Sequence, residues 1–165
     1  SMSESSPEPG RLMSRLNHVL YPDLNRVDMF ITVQLVYLDF TQRTMSVATA
    51  GHCPLVRWDG ASERVEEVTA EGVPIGVLED FDYSETRASW NPGDRALMFS
   101  DGLIEARGHD GELLGTEAVE DFMRRSDLRG LSCDALTKEL LKQVESHQED
   151  TPQSDDLTFI MMANL

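Results

Sequence analysis

Two short stretches carry most of the side chains able to do chemistry. In Ala96-Leu97-Met98-Phe99-Ser100-Asp101-Gly102 an apolar run leads into an aspartate followed by a glycine. A strand ending this way delivers a carboxylate to its tip, and the glycine predicts a tight turn with close backbone approach. In Asp155-Asp156-Leu157-Thr158 two adjacent carboxylates precede the apolar run Thr158 to Ala163, again at a strand edge. Hard divalent cations such as Mg²⁺ and Mn²⁺ take oxygen ligands and keep several waters, so one or two carboxylates on rigid strand ends suffice. Adjacent aspartates repel one another, and a cation relieves that repulsion. Both motifs also have an ordinary reading. Asp-Gly is a common turn, and Asp155 and Asp156 extend a loop already acidic from Glu149 and Asp150. From the residues alone, the two readings stay open.

Other candidates are weaker. His52, after Gly51, is a loop contributor to a site or, in the plainer reading, a turn histidine satisfied by backbone groups. Cys53 has no arginine loop beside it and nothing that lowers a thiol pKa. Glu105 either helps position a partner or the metal loop, or is an exposed strand-end carboxylate. Trp58, Trp90, Phe30, Phe99 and the eight methionines read as packing residues.

The elements that must position these groups follow from the hydrophobic pattern. Residues 1–10 read as a flexible leader, with Ser1-Met2 resembling a cloning remnant, so the chain is expected to begin inside a longer protein. Leu12, Leu16, Val19 and Leu20 recur at helical spacing and predict an amphipathic helix from Arg11 that ends near Pro22. Met29 to Leu38, a turn over Asp39 to Arg43, and Met45 to Thr49 predict a β-hairpin. Further strands are expected at Leu55 to Trp58, Val65 to Val68, Tyr83 to Ser89 and Arg95 to Ser100. Asp59-Gly60, Gly72-Val73-Pro74-Ile75-Gly76 and Pro92-Gly93-Asp94 supply turn chemistry between them. After Gly115 the period becomes helical, and a second helix opens at Ser132 as N-cap with Leu136, Leu140, Leu141 and Val144 on its stripe. The nearly continuous apolar run Leu157 to Ala163 reads as a buried central strand. This order predicts an α+β layered domain over residues 11–165 rather than alternating βαβ units.

Composition narrows the function. With 14 Lys and Arg against 30 Asp and Glu, the net charge is −16 over 165 residues. That field disfavours nucleic acid and anionic lipid as partners. The two cysteines lack metal-ligand spacing and suit a reducing cytoplasm. Apolar runs fall short of the roughly 20 residues that span a bilayer, so no membrane segment is expected.

Taken in order, Thr49-Ala50-Gly51-His52, Gly72-Val73-Pro74-Ile75-Gly76, Pro92-Gly93-Asp94, Ser100-Asp101-Gly102-Leu103-Ile104-Glu105-Ala106 and Asp155-Asp156-Leu157-Thr158 resemble the SpoIIE-like branch of the PPM, or type 2C, metal-dependent protein serine/threonine phosphatases. The resemblance runs from about Leu12 to the C-terminus. It implies a four-layer αββα sandwich of two antiparallel sheets flanked by helices, with a binuclear Mn²⁺ or Mg²⁺ centre. It makes Asp101 and Asp155 metal ligands, with Asp156 adjacent and the Gly102 backbone contributing. Catalysis would use a metal-activated water rather than a side-chain nucleophile, in agreement with the absence of a Gly-x-Ser-x-Gly elbow. The implied substrate is a phosphoserine or phosphothreonine protein of bacterial anti-sigma-antagonist or response-regulator signalling, with an upstream sensor or receiver domain; a homodimer is left open. The family's opening Gly-Asp-x-x-Gly-His-Gly segment does not occur here, and Cys53 stands where the family usually has asparagine. An N-terminally truncated domain with weak or no activity of its own is therefore expected. The alternative is a phosphatase-like binding or adaptor domain without catalysis.

Overall fold

A computed structural model describes residues 7–153 and 155–165. The chain divides into two compact units, Ser1–Pro54 with Val68–Trp90, and Leu55–Glu67 with Asn91–Leu165.

The first unit opens with helix α1, Pro9–Arg26. Pro9 occupies the first turn, where its missing N–H is no loss, and both Pro9 and Gly10 are buried. The leader expected over residues 1–10 therefore gives way to helix two residues early; residues 1–6 lie outside the described residues. Gly10 is needed there because a Cβ would lie 2.6 Å from the Tyr83 carbonyl oxygen. Pro22 does not end the helix. The bond it forfeits would go to the His18 carbonyl, on a face where both residues are exposed rather than buried, and α1 runs on to Arg26. The inward face also differs from the expected stripe. Met13 and Asn17 are fully buried and Leu20 and Leu24 pack beside them, while Leu12 and Val19 are exposed. Asn17 explains the difference: its Nδ2 donates to the carbonyls of Leu78 (2.8 Å) and Glu79 (3.0 Å), and its Oδ1 accepts from Gly76 N–H at 3.0 Å. A fully bonded amide is as much at home inside as a leucine.

Strands β1 (Val33–Asp39), β2 (Thr44–Ala50) and β5 (Thr86–Ser89) form an antiparallel sheet in the order β1-β2-β5. Its central strand is buried from Met45 to Ala50, and Ala48, Ala50, Ile75 and Tyr83 pack with Met13 into one core. The first strand starts later than expected, since Met29 and Phe30 are exposed and Ile31 only bridges Ile75. Tyr83, expected as strand, is a packing residue instead. Its ring meets Phe81 edge-on at 4.7 Å, its hydroxyl donates to the Val73 carbonyl at 2.7 Å, and burial raises its pKa.

In the second unit β3 (Leu55–Asp59), β4 (Arg64–Val68), β6 (Arg95–Phe99) and β7 (Phe159–Ala163) form a sheet in the order β4-β3-β6-β7. Helices α2 (Asp101–Ile104), α3 (Gly115–Arg124) and α4 (Cys133–Gln148) complete it, with a single 3-10 turn at Ser126–Leu128. As expected, Ser132 caps α4, its Oγ accepting from Ala135 N–H at 3.3 Å. Leu136, Leu140 and Val144 are buried, but Leu141 is exposed. The final strand is not central. It pairs only with β6 among the described residues, and Ile160 is 55% exposed. Continuous apolar sequence signals burial, but half-covered Met161 and Met162 satisfy the same pattern at an edge.

The turn at Pro92-Gly93-Asp94 does more than reverse the chain. Asp94 is buried, with Oδ2 accepting from Arg57 Nη2 (2.8 Å) and Asn91 N–H (2.7 Å), and Oδ1 accepting from Gly60 N–H (2.9 Å). Arg57 also pairs with Glu66. Burial works against the Arg57 charge, but its bonds to Asp94 and Glu66 win and hold its pKa above the ordinary guanidinium value. No described helix is long and apolar enough to cross a membrane.

Candidate functional site

The two aspartate motifs meet at one end of the β6–β7 pair. The ladder closes at Phe99↔Phe159, and one residue further Ser100 N–H still donates to the Thr158 carbonyl at 2.9 Å. There the ladder is continued by a side chain: Thr158 N–H donates to Ser100 Oγ at 3.1 Å, and that hydroxyl donates to the Asp156 carbonyl at 3.2 Å. Ser100 thus clasps the segment that carries Asp155 and Asp156 to the strand that delivers Asp101. The hydroxyl at the strand end was the available sequence signal for this clasp.

The expected tight turn at Asp101-Gly102 is a one-turn helix instead. Leu103 N–H reaches the Ser100 carbonyl at 3.1 Å and Glu105 N–H the Asp101 carbonyl at 2.8 Å. Gly102 has no left-handed backbone, so its glycine identity has another cause. A Cβ there would lie 2.3 Å from the Asp156 carbonyl oxygen and 2.9 Å from its carbon. The close backbone approach expected from the sequence is present, and it joins the two motifs directly.

Asp101, Asp155 and Asp156 are all exposed. Asp101 Oδ1 accepts from Gly102 N–H at 3.0 Å, and Asp155 Oδ1 accepts from Asp156 N–H at 2.7 Å. Gln153 Nε2 donates to the Asp155 carbonyl at 2.7 Å. Among the described residues no Lys, Arg or His pairs with any of the three carboxylates. The donor set is all oxygen, which fits a hard divalent cation in kind. In number it is sparse: among the described residues no group of three or more His, Cys, Asp or Glu side chains could hold an ion.

The remaining candidates are elsewhere. His52 belongs to the first unit, after β2, and its Nδ1 is buried without an acceptor or donor among the described residues, so the expected backbone satisfaction does not hold at that atom. Cys53 contributes its carbonyl to Gln34 Nε2 at 2.9 Å, and no disulfide forms. Glu105 is exposed at the C-terminal end of α2.

The family model described as Stage II sporulation protein E (SpoIIE) matches residues 1–164. The chain belongs to the SpoIIE family. Its relatives include Phosphoserine phosphatase RsbU of Bacillus subtilis (strain 168), 25% identical over 168 residues, a match that covers 98% of this chain and 47% of that protein. Among solved structures, the SiaA-PP2C domain of Pseudomonas aeruginosa superposes with a TM-score of 0.80 at 23% identity, covering 94% of this chain and 61% of that one. The phosphatase domain of the cell fate determinant SpoIIE from Bacillus subtilis, presoaked with Mn, gives a TM-score of 0.65 at 21% identity, covering 97% and 67%. These likenesses establish the SpoIIE-like PPM fold, α+β with two antiparallel sheets and helices. The chain spans about half the length of the curated relative RsbU.

Proposed function

We propose that this SpoIIE-family chain is the C-terminal portion of a metal-dependent protein serine/threonine phosphatase that dephosphorylates a bacterial regulatory phosphoprotein. The observation that carries the reading is the contact of Gly102 with the Asp156 backbone, clasped by Ser100, which brings the Asp101 and Asp155 motifs to one strand end. Asp101 and Asp155 would hold Mn²⁺ or Mg²⁺, with Asp156 and the Gly102 backbone alongside. The bound cations supply an activated water and charge neutralisation at the phosphoryl group. The chain's own part is to bring two exposed carboxylates to one sheet end, neither paired with a cationic side chain among the described residues. The Mn presoak of the SpoIIE phosphatase domain and the magnesium complex of RsbX support the choice of ion. The chain works in the cytoplasm under an upstream sensor or receiver domain, and its substrate belongs to anti-sigma-antagonist or response-regulator signalling; the relatives named as phosphoserine phosphatases support phosphoserine as the group removed.

The sparse donor set favours one second reading, a phosphatase-like adaptor that binds a partner without catalysis. Phosphopeptide hydrolysis by the longer parent protein with Mn²⁺ separates the two. Asp101→Asn and Asp155→Asn should each lower kcat/KM by about a hundredfold, equivalent to ~2.7 kcal/mol. Equal hydrolysis by wild type and both variants would remove these residues from the reaction, and no hydrolysis by wild type would favour the adaptor.

A further inference from the structure

The second unit holds a cleft of about 480 Å³ that the proposed phosphatase chemistry does not use. It opens at the start of β6, whereas Asp101 follows the end of that strand; Arg95 and Phe99 are separated by about 13 Å at ~3.3 Å per residue. Its polar wall is built around an indole. The Arg95 guanidinium carbon lies 5.3 Å from the Trp58 ring centroid, and that of Arg129 lies 5.7 Å from the same ring.

Arg95 is 4% exposed. One of its nitrogens, Nη2, donates to the Met123 carbonyl at 2.6 Å, while Nε and Nη1 are buried with no acceptor among the described residues. Buried donors without acceptors are uncommon and call for an explanation. Arg129 is half-exposed and its Nη1 pairs with Glu63 at 2.8 Å. Burial and then the nearby Arg129 charge depress the Arg95 pKa, and only Asp127 offsets them. Asp94 also lines the cleft, but both its oxygens are committed to Arg57 and to backbone N–H groups. The wall thus carries two mutually repelling guanidinium groups and an excess of donors.

We propose that this cleft binds an oxyanion group, a phosphate or a carboxylate, between Arg95 and Arg129. A guanidinium presents planar, fixed N–H donors that match such oxygens, and a charge-assisted bond to both groups would satisfy donors that the protein leaves unused. Each guanidinium also lies within cation–π distance of the Trp58 ring. A cleft of this volume exceeds a bare oxyanion and falls in the range of small-molecule sites, so the group is carried on a larger ligand whose body rests on Leu131 and Ala163.

The test uses the 165-residue chain in EDTA, which keeps divalent cations off the aspartate site, with chloride holding ionic strength constant. Inorganic phosphate and acetate are titrated separately to ~10 mM, ten times a Kd of ~1 mM, while ¹⁵N spectra follow the indole N–H signals of Trp58 and Trp90 and the Arg95 Nε–H. Saturable shifts of Trp58 and Arg95 with Trp90 unmoved are expected, and the stronger of the two probes identifies the oxyanion. Arg129→Gln, at a half-exposed position, should keep the fold and weaken binding at least about tenfold. Arg95→Lys, which keeps the charge but loses the fork, should weaken it as well. Absence of saturation by both anions, or binding unchanged in Arg129→Gln, would overturn the assignment.

Discussion

Gly102→Ala places one methyl group where the two aspartate motifs touch. The new carbon would sit 2.3 Å from the Asp156 carbonyl oxygen and 2.9 Å from its carbon, both backbone atoms without a rotamer to swing aside. Restoring ordinary contact requires the Asp156 backbone to retreat by about 1 Å, and overpacking of this kind costs about 1–3 kcal/mol. The retreat stretches the bond from Ser100 Oγ to the Asp156 carbonyl, now 3.2 Å, worth about 0.5–1.5 kcal/mol net. Against this, alanine within the short helix regains up to ~1 kcal/mol over glycine. The balance is a loss of about 0.5–4.5 kcal/mol, which for a chain of this size is a Tm decrease of about 1–18 °C. Gly93→Ala is the control: its Cβ meets nothing within 4 Å, but its φ of +93° strains an alanine, so it destabilises away from the motifs. Calorimetry should show both variants melting early, with only Gly102→Ala also weakening Mn²⁺ binding. A Gly102→Ala protein that melts with the wild type, or that binds Mn²⁺ as tightly as Gly93→Ala, would refute the reasoning.

Asp94→Ala removes the one fully buried carboxylate that pairs with Arg57, whose side chain is 2% exposed, and should cost about 3–5 kcal/mol in urea unfolding; a loss below about 1 kcal/mol would show that Glu66 and Asp59 carry the charge alone. Asp59 accepts from the N–H groups of Ser62 and Ala61 and faces Arg57, and the bond from Ser62 leads in lowering its pKa. A carboxyl group whose folded-state pKa is depressed stabilises fully above its unfolded value near 4 and loses that contribution as pH falls through the folded value. The Tm advantage of wild type over Asp59→Asn should therefore be constant from pH 7 to 5 and shrink below ~4; an advantage that grows on acidification would reverse the assigned sign.

Most strands were legible because turn residues bracket them: Asp59-Gly60 and Pro92-Gly93-Asp94 separate runs that fold as β3, β4 and β6. Where the pattern misled, a polar or punctuating residue had an unseen partner. Asn17 occupies the inner face of α1 because three backbone groups from residues 76–79 converge on it, a long-range match that no local period records. Pro22 punctuates nothing because it sits on the exposed side of α1, where a lost backbone bond is not sealed in the core. Asp94 read as turn chemistry, yet its carboxylate organises a buried ion pair with Arg57, 37 residues away in sequence. At the candidate site the residue types and the close approach at Gly102 were readable, but not the one-turn helix at Asp101 or the clasp through Ser100, which depend on strand register. The edge position of β7 was also hidden, since half-covered and covered apolar strands share one composition.

The shared-ion claim is tested most directly by paramagnetic broadening of backbone amides with substoichiometric Mn²⁺. One cation held between the two motifs predicts that the Gly102 and Leu103 signals fade together with those of Asp156 and Leu157, and that Asp101→Asn abolishes the loss at both stretches. Broadening confined to the 155–157 loop and unchanged in Asp101→Asn would contradict it.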